Sequence, residues 1–273
     1  MNPDRENCSK VNLISCFSPD TKTMSLQRFG RPLPPNQIRF LCLPPAGVGP
    51  SIFRGLMSLE TQQISICPVA MPGREGRALE PVPNTIESLA HQLARELSFI
   101  PENPYVIFGY SMGALVGFEI VRQWLNCNLP APVHFYSLAG RAPQVEYKHR
   151  LHELDSKTLR EEIEKLGGMP REIIENNEAM DIYEPILRAD FKVCEEYRCE
   201  SLIPLKCPID ALVSDRDPIL SVEEMGAWSE CTQNRFKLHT LKGQPHTLTG
   251  QTLLTTVESL IGQLMQTRQT HPM

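Results

Sequence analysis

The chain has 273 residues, 41% hydrophobic and 22% charged, which suits one substantial α/β core carrying an insertion. Its net charge of −5 comes without the basic stripe that nucleic-acid binding requires. No apolar run approaches the ~18 residues of a membrane span, and the charged opening Met1-Asn2-Pro3-Asp4-Arg5-Glu6 lacks the apolar centre of a secretory signal, so a cytoplasmic location is expected.

Residues 1–36 are polar, broken by Pro32, Pro34 and Pro35, and without sustained periodicity. They read as a flexible or loosely packed extension ahead of a domain over 37–268, with 269–273 as a tail. Regular structure begins with the apolar strand Ile38-Arg39-Phe40-Leu41-Cys42-Leu43, ending in Pro44-Pro45-Ala46-Gly47. A second strand is predicted over residues 64–69. A helix follows from about Thr85, with Ile86, Leu89, Leu93 and Leu97 on its inner face. Next come the run Tyr105-Val106-Ile107-Phe108, a helix with Ala114, Leu115, Phe118, Val121 and Leu125 inward, and a strand over 133–138. Strands alternating with helices in this way predict a parallel sheet covered on both faces.

The alternation stops near Arg141. From about Leu151 to Tyr197 the chain is helical and polar-rich, with Thr158-x-x-Glu161 as a candidate capping box and Pro185 suited to a first helical turn. Between Leu151 and Pro185 ten acidic residues face four basic ones, which leaves the rest of the chain near neutrality. A helical insertion over about 151–197 can act as a lid over a site at the sheet edge; two ordinary crossover helices are the alternative. The sheet pattern resumes at residues 208–213, then a helix opened by Ser221-x-x-Glu224, a strand over 236–241, and a last helix carrying Leu253, Leu254, Val257, Leu260, Ile261 and Leu264.

Nine cysteines without a C-x-x-C pair, in a chain of this size, fit reduced and mostly buried thiols better than a disulfide framework or a zinc site. No metal is expected.

The most specific chemistry lies at Gly109-Tyr110-Ser111-Met112-Gly113, a G-x-S-x-G string between an apolar strand and a periodic helix. In that context the serine sits on a sharp strand-to-helix turn with its hydroxyl exposed above the sheet. A serine hydroxyl is a poor nucleophile at neutral pH, so it needs a base, and the base needs an orienting acid. The hydrolase order is serine, then acid, then histidine, each on a loop after a strand. Of seven histidines, His246 alone falls in a loop between the last strand and the last helix. His239 and His134 lie in strands, His91 in a helix, His149 and His152 before the insertion, and His271 in the tail. For the acid, Asp217 is preferred and Asp215 is the fallback, both in the turn Ser214-Asp215-Arg216-Asp217-Pro218. Two backbone donors must hold the oxyanion. Met112, after the nucleophile, supplies one; Ala46 is the first residue of the first-strand loop able to supply the other, because Pro44 and Pro45 have no N–H.

Several further blocks accompany this set: Leu43-Pro44-Pro45-Ala46-Gly47, Met71-Pro72-Gly73-Arg74-Glu75-Gly76-Arg77, Ser137-Leu138-Ala139-Gly140-Arg141, Leu166-Gly167-Gly168-Met169-Pro170, and Pro185-Ile186-Leu187-Arg188-Ala189-Asp190-Phe191. From about Ile38 to Leu264 the chain resembles the free-standing type II thioesterases of polyketide, nonribosomal-peptide and fatty-acid synthesis. The resemblance implies an α/β-hydrolase fold with a helical lid, catalytic Ser111, Asp217 and His246, and oxyanion donors Ala46 and Met112. It further implies a monomer without a cofactor of its own, acting on acyl groups held by the phosphopantetheine arm of acyl or peptidyl carrier proteins. Stalled or aberrant acyl groups, or finished products, would be released. Two positions depart from the family pattern. Gly243-Gln244-Pro245-His246-Thr247 stands where Gly-Gly-His and an aromatic are usual, and Pro45 where histidine is frequent. Carrier proteins of this kind are commonly acidic, so docking is expected away from the acidic insertion, with Arg74, Arg77 and Arg141 as candidates.

Competing readings are a general carboxylesterase or lipase using the same residues, a releasing domain cut from a larger synthase, and a non-catalytic carrier-binding protein. The polar leader and tail weigh against the second, and the complete serine–acid–histidine set weighs against the third.

Overall fold

A computed structural model describes residues 25–270, with side chains through Arg268. Six strands, β1 (Ile38–Leu43), β2 (Ile64–Pro68), β3 (Tyr105–Tyr110), β4 (His134–Leu138), β5 (Ile209–Ser214) and β6 (Phe236–Leu241), form one sheet in the order β2-β1-β3-β4-β5-β6. Every neighbouring pair is parallel. Strands β1 to β5 are buried along their whole length, which is why they read as apolar runs and not as alternating patterns. Successive connections run from β1 outward to β2 and from β3 outward the other way. The carboxyl ends of β1 and β3, adjacent through the Leu43–Gly109 pairing, therefore form the point where the winding reverses. Crevices for ligands open at such points.

One face of the sheet packs on α1 (Ile86–Glu96) and α2 (Met112–Asn126) through Leu89, Leu93, Leu115 and Phe118. The other packs on a 3₁₀ helix (Pro50–Leu59) and on α7 (Gly250–Thr270) through Phe53, Leu56, Val257 and Leu260. Local signals account for several helix starts. Thr85 and Ser88 form a capping box at α1, and Ser221 and Glu224 form the predicted one at α6 (Val222–Gly226).

The insertion contains α3 (Ser156–Leu166), α4 (Arg171–Ile174) and α5 (Asn177–Glu196), gathered around Leu159, Ile163, Met180 and Leu187. Two expectations here are corrected. Asp155, not Thr158, caps α3: its carboxylate accepts from the amides of Lys157 and Thr158, each at 3.1 Å, and Thr158 becomes an interior residue of the helix. Pro185 lies inside α5, not in a first turn; it is exposed there, and it has no N–H to bond the carbonyl one turn back.

The extension is also corrected over residues 25–36. Leu26 is buried and makes an antiparallel bridge to Val69, and the Gln27 amide donates to the Pro68 carbonyl at 2.9 Å. Buried Arg28 pairs with Glu60 at 2.9 Å. β2 is an edge strand with unpaired backbone groups, and this segment covers that edge. Residues 1–24 and the end of the predicted tail, 271–273, lie outside the described residues.

Candidate active site

Ser111 follows β3 directly, with φ +50° and ψ −114°, and α2 begins at the next residue. Such a conformation in a non-glycine residue costs ~1–3 kcal/mol and persists only when its surroundings over-determine it. The surroundings do so. The Ser111 amide donates to the Leu138 carbonyl at 2.8 Å, and the Ala114 amide donates back to the Ser111 carbonyl at 2.9 Å. A Cβ at Gly109 would strike the backbone of Ala114, and one at Gly113 would strike the carbonyl of Leu43, so the motif's two glycines let helix and strand approach closely.

His246 is buried in the loop between β6 and α7. Its Nδ1 lies 2.6 Å from Asp217 Oδ2 and its Nε2 lies 3.1 Å from Ser111 Oγ. A carboxylate accepts only, so Nδ1 carries the proton and Nε2 is left to accept from the serine hydroxyl. The Asp217 side chain is fully buried, and its Oδ1 accepts from the amides of Ile219 and Leu220, each at 3.0 Å. Three donors thus fix one carboxylate. Asp215, the fallback, is exposed and away from this line; its Oδ1 accepts from the Gly243 amide at 2.7 Å and closes the turn.

One residue that the sequence analysis passed over fastens the histidine loop. Tyr110 is buried, its hydroxyl accepts from the Leu248 amide, and it lies 3.3 Å from the carbonyls of His246 and Leu248. Burial, ahead of the loop's hydrogen bonds, holds its phenol above the ordinary range, so it remains neutral. The only hint was its place inside G-x-S-x-G.

The two residues expected to supply oxyanion donors line the same cavity as Ser111. In the loop after β1, the Gly47 amide is taken by Asp190 at 2.7 Å and the Val48 amide by the Pro45 carbonyl at 3.3 Å. The amides of Ala46 and Met112 have no acceptor among the described residues.

The cavity has a volume of about 490 Å³. Ser111 and His246 form its floor, and the insertion roofs it with Ile163, Leu166, Ile186 and Phe191. The residues that depart from the family pattern contribute to the roof contact. Pro245 packs beside Gly167, Thr247 packs against Gly168, and the Thr247 amide donates to the Leu166 carbonyl at 3.0 Å. No three His, Cys, Asp or Glu side chains among the described residues converge to hold a metal ion.

A serine, an imidazole and a carboxylate in hydrogen-bonded line beneath an apolar chamber are the parts of an acyl-transfer hydrolase. The family model for the thioesterase domain matches residues 39–264, nearly the whole described chain. The chain belongs to the thioesterase family. This thioesterase is 32% identical over 206 residues to the gramicidin S biosynthesis protein GrsT of Aneurinibacillus migulanus, a match covering 74% of this chain and 79% of the relative. Among solved structures it is similar to RedJ, a thioesterase from the prodiginine pathway of Streptomyces coelicolor. There the TM-score is 0.78, with 31% identity over 87% of this chain and 98% of that one. YbtT, a type II thioesterase of the yersiniabactin NRPS/PKS pathway, superposes with a TM-score of 0.73 and 26% identity over 86% of this chain and 94% of the other. The thioesterase is accordingly a thioester hydrolase of the α/β-hydrolase fold.

The arginines considered for docking do not form a surface. Arg74, Arg77 and Arg141 are 5%, 4% and 3% exposed. Arg77 reaches Glu80 at 2.8 Å, Glu96 at 2.9 Å and the Ala70 carbonyl at 2.9 Å. Arg141 donates to the carbonyls of Cys194 and Tyr197 at 2.6 Å, holding the end of the insertion. Arg74 is bound to Asp190. All three tie the fold together. Of the other histidines, His134 and His239 hold opposite oxygens of buried Asp210, at 2.9 and 2.8 Å, remote in the sheet from Ser111.

Proposed function

We propose that this thioesterase hydrolyses acyl groups from the phosphopantetheine arm of acyl or peptidyl carrier proteins of a nonribosomal-peptide, polyketide or fatty-acid synthase. Stalled or aberrant chains, or finished products, are released. The observation that supports it best is the unbroken line Asp217–His246–Ser111, at 2.6 and 3.1 Å, on the floor of an apolar chamber roofed by the insertion. In this reading Ser111 Oγ adds to the thioester carbon while His246 Nε2 takes its proton. Asp217 fixes the ring tautomer, and the amides of Ala46 and Met112 receive the oxyanion, each such donor being worth ~3 kcal/mol. The thiol leaves, protonated by His246, and a water activated by the same nitrogen releases the acid. A thiol with a pKa of ~8.5 leaves more readily than an alcohol, which suits a site without further electrophilic help. The chemistry invokes no cofactor bound by this chain, since the phosphopantetheine belongs to the partner.

The similarity to YbtT and GrsT supports the carrier-bound substrate; a simple esterase would lack a reason for kinship to pathway thioesterases. We place the protein in the cytoplasm as a monomer. Its described cysteines are all free, and no described helix is long and apolar enough to cross a membrane. The test is mass spectrometry of carrier proteins loaded with different acyl groups, incubated with the wild type and with Ser111→Ala. The wild type is expected to clear the acyl group while Ser111→Ala is slower by at least about 10³-fold. Equal rates on an ester and its thioester analogue, with no preference for the carrier, would sink the carrier reading.

A further inference from the structure

The insertion does more than roof the cavity. Asp190 lies on α5, is 1% exposed and pairs with the guanidinium of Arg74. Its Oδ2 accepts from the Gly47 amide at 2.7 Å and from Arg74 Nη1 at 2.5 Å, and its Oδ1 accepts from Arg74 Nη2 at 2.9 Å. Arg74 Nε also reaches the Pro72 carbonyl at 3.3 Å. One carboxylate on the insertion therefore clamps the loop after β1 and the segment after β2. Leu187, one turn earlier on the same face of α5, fills the space that a Cβ on Gly47 would need; Gly47 itself has φ +72°. The insertion thus sets the conformation of Gly47 twice, by a hydrogen bond and by packing.

Gly47 adjoins Ala46. Consuming the Gly47 amide has a geometric consequence: the peptide plane between them is fixed, and the Ala46 amide beside it is left as the donor of this loop. We propose that Asp190 is the positioning residue for the oxyanion site, so that the donor loop is aligned only while α5 is docked. The inference rests on the acyl-transfer reading above, because Ala46 matters only if an oxyanion forms. Docking of the insertion and oxyanion stabilisation are then one event.

An ion pair that merely stabilised the fold would behave differently, and two variants separate the cases. Asp190→Asn removes the charge but leaves Arg74 buried and uncompensated, which by itself destabilises. The double variant Arg74→Met/Asp190→Leu removes both charges, keeps an apolar filling and still deprives Gly47 of its acceptor. Two probes are titrated into each protein. An octylthio trifluoromethyl ketone adds to Ser111: Oγ bonds to the ketone carbon, the carbonyl π pair moves to oxygen, and the serine proton passes to His246. The octyl thioether of N-acetylcysteamine occupies the chamber with no carbonyl to attack. The double variant is expected to bind the ketone about ten- to hundredfold more weakly, with kcat on octanoyl N-acetylcysteamine falling in parallel and affinity for the thioether unchanged. Asp190→Asn, whose amide oxygen can still accept from the Gly47 amide, should lose stability but keep most of its ketone affinity. The double variant should melt near the wild-type temperature while keeping the ketone defect. A double variant that is stable and binds the ketone like the wild type overturns the positioning role. If the wild type itself neither hydrolyses the thioester nor captures the ketone, the acyl-transfer reading falls, and this inference with it.

Discussion

Replacing Asp217 by asparagine changes one atom, and the structure dictates which way the new amide must face. The Ile219 and Leu220 amides both point at Oδ1, at 3.0 Å each. Turning the side-chain NH₂ towards them would strand two buried donors, at about 1–3 kcal/mol each. The side-chain oxygen therefore stays with the backbone, and the NH₂ faces His246 Nδ1, now 2.6 Å from Oδ2. Nδ1 must then accept, the ring proton moves to Nε2, and Nε2 can no longer take the proton of Ser111. The bias towards the wrong tautomer equals the penalty avoided, about 2–6 kcal/mol, so kcat/KM should fall by between about 30-fold and 10⁴-fold. The upper figure coincides with the loss of ~10⁴ known for the equivalent change in serine proteases. The assay is release of thiol from octanoyl N-acetylcysteamine near pH 8, with Asp215→Asn as the companion. Asp215 holds only the Gly243 amide in an exposed turn, so its variant should stay within about threefold of the wild type. Asp217→Asn activity within threefold of the wild type, or equal losses at the two positions, would refute the orienting role.

Two further outcomes concern the rest of the molecule. Burial alone would raise the Asp210 carboxyl, but hydrogen bonds from His134 and His239 hold it well below the ordinary carboxylate range. A depressed folded-state value gives stability that is present above the unfolded value of ~3.9 and lost as pH falls through the folded one. Asp210→Asn should therefore lower the melting temperature at neutral pH, with the gap to the wild type persisting to about pH 4 and closing only below it. A gap that closes near pH 6 would contradict this. Burial pushes the thiols of Cys67, Cys207 and Cys231 up to about 12, whereas Cys127 is exposed. Among the described cysteines, iodoacetamide at pH 8 should modify Cys127 first by mass spectrometry, and early labelling of the other three would show that the core opens.

Much of the site was legible in the chain because nucleophile elbows are locally determined. An apolar strand, two glycines with no room for a side chain and a periodic helix force Ser111 into its turn wherever the sheet forms. Strand-to-loop order likewise singled out His246 from six other histidines, and proline chemistry pointed to Ala46 as the first available donor. The capping box at Ser221 acts within one helical turn and so can be read from a short spacing. The insertion was harder. Asp155 displaced Thr158 as the cap, and Pro185 was tolerated inside α5, because exposure and packing there outweigh intrinsic preference.

Burial and pairing belong to the tertiary structure alone. Nothing in the spacing of Arg74, Arg77 and Arg141 distinguishes three surface cations from three interior ties, since their partners lie up to 116 residues away. The same holds for Asp190 and Tyr110, whose partners come from other loops, and for residues 25–36, whose order depends on the open edge of β2. Sequence by itself determined which groups were chemically able to act, because reactivity follows from side-chain type and local backbone geometry. Only the folded chain decided which of them meet, because a hydrogen bond depends on distances of about 3 Å that no one-dimensional pattern encodes.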